Sequence, residues 1–115
     1  MIRESAGQDA SLSVTEEEAF GLSQAAVMLD QGRANPGLLA QALNHNMELW
    51  VAIRVLVSDD RSPLPAETRR NLAQLSTFIT ETIVSQGVEM APQTLDTLIN
   101  INLQISEGLL EGLDR

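Results

Sequence analysis

Residues 94–113, TLDTLININLQISEGLLEGL, constrain the fold more than any other stretch of the chain. Leu95, Leu98, Ile99, Ile105 and Leu109 recur in steps of three and four, so an α-helix gathers them into one broad apolar stripe. Ile101 and Leu103 fall off that stripe. A helix that is apolar on more than one side must be enclosed, either by its own chain or by a partner. The preceding sequence supplies three further segments of helical pattern able to wrap it.

Ser13 with Glu16, and Thr15 with Glu18, have the spacing of a capping box, which predicts a first helix beginning near residue 14. The run Glu16-Glu17-Glu18 suits the positive end of a helix dipole. Phe20, Leu22, Ala25, Ala26, Met28 and Leu29 give this helix its apolar face, and Gly32 followed by Arg33 reads as its C-terminal cap. Asn35-Pro36 opens a second helix, with Asn as cap and Pro in the first turn, where its missing amide costs nothing. A polar loop at 58–63, closed by Pro63, ends that helix; Pro65 starts a third, Gln86-Gly87 stops it, and Pro92 opens the fourth. The expected helices span 14–32, 36–58, 65–86 and 92–113, each about 30 Å long at 1.5 Å per residue. Short links force antiparallel neighbours, so the expected fold is all-α, an antiparallel four-helix bundle. Residues 1–12 are polar and aperiodic and are expected to form a flexible N-terminal arm ahead of a single helical domain at 13–115.

Composition narrows the chemistry. A chain of 115 residues makes one domain with a core of its own, and it has no cysteine to form disulfides, thiolate metal sites or a nucleophile. All seven basic residues are arginines, and the net charge is −9. That field repels phosphate backbones and anionic lipid, so neither direct nucleic-acid binding nor a membrane-surface role is expected. There is no apolar run of signal-peptide length or of the ~18 residues that a membrane span needs, so no membrane insertion is expected and the expected location is the cytoplasm. The single histidine, His45, stands three residues before Glu48, half of a Glu/His metal pair. A di-metal carboxylate site needs that pair twice and no second histidine exists, so a surface histidine is the better reading. No phosphate loop or nucleophile elbow is present. Neither an enzyme nor a cofactor or metal is expected.

Amides interrupt the apolar stretches at Asn46, Asn100 and Asn102. Between Ile99, Ile101, Leu103 and Ile105, at least one of the last two must lie near the interior, where an unpaired amide costs about 1–3 kcal/mol. An internal Asn–Asn or Asn–backbone bridge that sets helix register is the favoured reading; a polar recognition groove is the alternative. Trp50, the only tryptophan, is read in the same two ways, as core filler or as a binding anchor whose indole N–H needs a partner.

Three segments in register resemble a known family: NHNMELW at 44–50, LPAETRRNLAQLSTFITETI at 64–83, and LININLQISEGL at 98–109. Their order and spacing are similar to those of the FlaF family of bacterial flagellar regulators. The match runs through Asn46, Leu49, Trp50, Leu64, Pro65, Arg69, Leu72, Leu75, Ser76, Phe78, Leu98, Ile99, Ile101, Asn102, Ile105, Gly108 and Leu109. Departures are Leu103, where members often carry a basic residue, Glu81-Thr82 in place of a His-Thr pair, and an arm without a tyrosine-rich start.

The resemblance implies a FlaF-like domain in a cytoplasmic factor that promotes flagellin synthesis and filament assembly. It implies two partners, flagellin and the regulator FlbT. On one reading the protein is a secretion chaperone that takes an amphipathic helix of unsecreted flagellin into an apolar groove beside the fourth helix. The expected partner-binding residues are Asn46, Leu49, Trp50, Arg69, Leu98, Ile101, Asn102 and Ile105. Trp50→Ala combined with Asn102→Ala is then expected to lose flagellin while the protein stays helical. On the other reading the protein is a post-transcriptional regulator that acts mainly through FlbT.

Overall fold

The computed structural model describes the backbone of residues 6–62 and 64–113 and the side chains of residues 16–62 and 64–111. Among these residues there are four long helices and no strand: α1 (Ala6–Gln31), α2 (Pro36–Val57), α3 (Ala66–Gln86) and α4 (Pro92–Leu113). Single 3₁₀ turns, Gly32–Ala34 and Gly87–Glu89, follow α1 and α3. The fold is the expected all-α bundle, 49 Å along its longest axis and 25 by 20 Å across.

The start signals of α2 to α4 act as the residues require. The Asn35 side-chain oxygen accepts from the amides of Gly37 (2.9 Å) and Leu38 (3.2 Å), and Pro36 occupies the first position of α2. Pro65 stands just outside α3, and the Arg69 guanidinium donates back to the Leu64 carbonyl at 3.2 Å. Gly87 ends α3 with φ +55° and ψ −145°, a conformation that side-chain-bearing residues rarely adopt. In the loop between α2 and α3, Asp59 accepts from the backbone and guanidinium of Arg61, and those bonds hold its carboxyl below the usual carboxylate range. Pro63 lies outside the described residues.

Two expectations about α1 require correction. The helix begins at Ala6 rather than near residue 14, so Ser13 and Thr15 lie within it and do not cap it. A capping-box spacing permits a start but cannot stop a helix that is already propagating through it. Residues 6–12, expected in the flexible arm, are helical, and residues 1–5 lie outside the described residues. Gly32 is not a left-handed cap either, because Gly87 alone among the described residues has positive φ. Gly32 is needed for a different reason: a Cβ there would sit 2.7 Å from the Leu39 Cα, where the chain turns from α1 into α2.

The helices alternate in direction. Ser106 on α4 donates to the Ala19 carbonyl on α1 at 2.6 Å, while Arg33, beyond the end of α1, pairs with Asp96 near the start of α4. Those two ties run antiparallel. α1 packs most extensively against α4, and α2 against α3 and α1. α3 and α4 differ from the expectation for a short link, since their backbones stand too far apart for close packing. The turn at Gly87–Glu89 packs against α2, and α4 packs closely against α1 while its Asn102 side chain reaches Trp50 and Asn46 of α2. The core is continuous through all four helices, with Leu22, Leu29, Trp50, Ile79 and Leu98 fully enclosed.

Candidate functional site

Three of the residues expected to bind a partner, Asn46 and Trp50 on α2 and Asn102 on α4, meet at the centre of the bundle with no solvent exposure. The Trp50 indole Nε1–H donates to Asn102 Oδ1 at 2.9 Å, and Asn102 Nδ2 donates to Asn46 Oδ1 at 2.7 Å. One layer away, the Ser76 hydroxyl of α3 donates to the Trp50 backbone carbonyl at 3.0 Å. This is the internal Asn–Asn bridge, with tryptophan as core filler. It ties α2 to α4 across the bundle and α3 to α2. Asn100, by contrast, faces solvent.

The bridge is not complete. Asn46 Nδ2 is buried without a hydrogen-bond partner, which places one uncompensated amide in the core.

The other expected residues do not gather around this cluster as an open groove. Leu98 is fully buried; Ile101 and Ile105 are half-buried against the core edge, on the flank of α4 opposite Leu103. Leu49 packs toward α1, where a Cβ on Gly21 would meet its methyl group at 3.2 Å. Half-buried Arg69 secures the start of α3 through Leu64. His45 and Glu48 are exposed, and the described residues contain no group of three His, Asp or Glu side chains arranged to hold a metal ion.

The surfaces that α-helical periodicity did leave open lie elsewhere. Phe20 (68 % exposed) and Val27 project from α1, and Leu103 and Leu110 project from α4. A shallow groove of about 530 Å³ runs between α2 and α3, bordered by Met47, Val51, Arg54, Thr80, Glu81 and Val84. Phe20, Val51 and Val84 were not among the expected binding residues. Each lies off the stripe that its helix turns to the core, and the expectation that Phe20 shares the apolar face of α1 requires correction: it is exposed because it stands on the opposite side of the helix from Leu22 and Leu29.

Glu18 is a second internal irregularity. Its Oε1 is buried without a partner, and burial, followed by the neighbouring Glu17 carboxylate, raises its pKa above the usual value. The folded state therefore holds the proton to higher pH than the unfolded chain does. Stability should fall as pH rises from the ordinary glutamate range through that raised pKa, after which the full penalty remains. Glu18→Gln is expected to raise the melting temperature at neutral pH and to have a smaller effect near pH 4, where the wild-type carboxyl is largely protonated. Thermal melts of both proteins from pH 4 to 8 check this; a difference independent of pH would contradict it.

No curated protein and no solved structure matches the chain. The family model described as flagellar protein FlaF matches residues 4–109, nearly the whole of it, and the chain therefore belongs to the FlaF family, with a role in flagellar biosynthesis.

Proposed function

We propose that the protein is a binding factor rather than an enzyme, and that it holds unsecreted flagellin in the cytoplasm as a secretion chaperone, so promoting flagellin synthesis and filament assembly. The observation that carries this reading is the set of large apolar side chains left exposed on the helix faces of a flagellar protein, Phe20, Val27, Leu103 and Leu110 among them. Exposed apolar rows on a helical surface suit the apolar face of another helix. The fully enclosed Asn46, Trp50 and Asn102 support the reading only indirectly, by holding α2 and α4 in fixed register.

Size-exclusion chromatography of the purified protein mixed with monomeric flagellin, and separately with a FlbT-like regulator, tests the proposal. Co-elution with flagellin is the expected result. Association with the FlbT-like protein alone would favour the post-transcriptional reading and overturn the chaperone one.

A further inference from the structure

The outer face of the α1–α4 pair combines an apolar row with exposed carboxylates. With Ser106 seated on the Ala19 carbonyl and the helices antiparallel, Phe20 and Val27 on α1 turn to the same outward side as Leu103 and Leu110 on α4, away from α2 and α3. Each pair is spaced i, i+7, so each stays on one face of its helix. In this register the four residues follow one another along the seam over about 18 Å, the length of roughly twelve helical residues. Phe20 is 68 % and Leu103 41 % exposed, and both Val27 and Leu110 are also open to solvent.

The rim of this row is acidic. Glu16 on α1 and Glu107 on α4 flank Phe20 and Leu110, and both carboxylates are exposed. Arg33 is the one described arginine at this seam, and it is already held by Asp30 and Asp96. Arg54, Arg61, Arg69 and Arg70 all lie on α2, α3 or the loop between them. Among the described residues, the α1–α4 side thus joins the apolar row to exposed carboxylates, with its one arginine, Arg33, already paired, and the α2–α3 side is mixed in charge. The groove between α2 and α3 belongs to the mixed side, where Arg54 on α2 and Glu81 on α3 both line it and select no sign of charge.

We infer that the α1–α4 face docks an amphipathic helix of a partner protein that carries lysine or arginine on both flanks of its apolar stripe. The apolar row takes the stripe, and the acidic rim pairs with the basic flanks while repelling acidic helices, including those of a second copy of this chain. This rests on the chaperone reading for the idea that the guest is a helix, and adds where the helix lies and what charge it bears.

The test uses the full-length protein and three labelled synthetic peptides of 18 residues, the length that spans the row with one turn to spare at each end. One has a leucine stripe flanked by lysine and arginine, one the same stripe flanked by glutamate, and one the basic composition in scrambled order. By fluorescence anisotropy the basic amphipathic peptide should bind at least about ten-fold more tightly than either control, and its affinity should fall with added salt. Phe20→Ser with Leu103→Ser should reduce that binding about ten-fold or more, whereas Val51→Ser with Val84→Ser on the mixed side should leave it unchanged. All four sites are exposed, and matched melting curves show that the variants are folded. Equal binding of the basic and acidic peptides, or loss only in the Val51/Val84 variant, overturns the inference.

Monomeric flagellin run against the same variants separates this inference from the function proposed above. Flagellin bound equally by wild type and the Phe20/Leu103 variant refutes the surface and leaves the chaperone reading standing. Selective peptide binding with no flagellin binding refutes the chaperone reading and leaves the surface standing.

Discussion

Replacing Trp50 by alanine is expected to lower the stability of the bundle by about 3–5 kcal/mol, the range for truncating a large enclosed aromatic side chain. Trp50 is fully buried, touches the continuous core, and gives its indole N–H to Asn102. Alanine leaves a cavity and also takes away the Asn102 oxygen's donor. Urea denaturation followed by far-UV circular dichroism measures the loss; a cost below about 1 kcal/mol would mean that the tryptophan is not enclosed as described. The expectation that Trp50→Ala with Asn102→Ala leaves a helical protein unable to bind flagellin changes accordingly. Both side chains lie inside the molecule, so a loss of binding in that double variant would report a weakened fold rather than a missing surface contact.

The buried amides yield a second large and asymmetric effect. Asn102→Leu leaves two groups unpaired in the core, the Trp50 N–H and the Asn46 oxygen, and is expected to cost about 2–4 kcal/mol. Asn46→Leu leaves only the Asn102 amide group without its acceptor, and it removes an Nδ2 that has no partner to lose. Its expected cost is smaller, about 1–2 kcal/mol. The double variant should be more stable than the sum of the single effects predicts, because only the indole N–H is then left unpaired. Denaturation of the three variants under identical conditions checks the ordering. A costlier Asn46 single variant, or strictly additive effects, would contradict the direction of the bonds through Asn102.

Local signals carried much of the fold. Asn35-Pro36, Pro65, Gly87 and Pro92 mark helix ends because each acts through its own backbone and that of its immediate neighbours. The start of α1 was misread because Ser13, Thr15 and the following glutamates are compatible with a helix interior as well as with its first turn. Gly32 was assigned to the right place for the wrong cause. Its need arises from Leu39, which becomes a close neighbour only after the chain has turned back.

The binding residues were less legible for a related reason. Motif-bearing positions such as Asn46, Trp50 and Asn102 are constrained strongly by the interior they build, and a motif does not say whether its constraint comes from the core or from a partner. Phe20 lies outside the resembling segments and Leu103 departs from the family pattern, and only the packing of α1 on α4 brings the two to one face.

By itself the sequence determined the helical class and most helix ends, because periodicity and caps operate within one segment; for the amides it favoured an internal bridge over a recognition groove, since an unpaired buried amide is costly. The tertiary structure alone decided that Asn102 rather than Asn100 is enclosed and bridged to Asn46, that α4 packs closely against α1, and that the apolar row and the exposed carboxylates share a side. Those outcomes depend on how each helix is rotated about its axis and which neighbour it meets, and the packing of the whole core sets both at once.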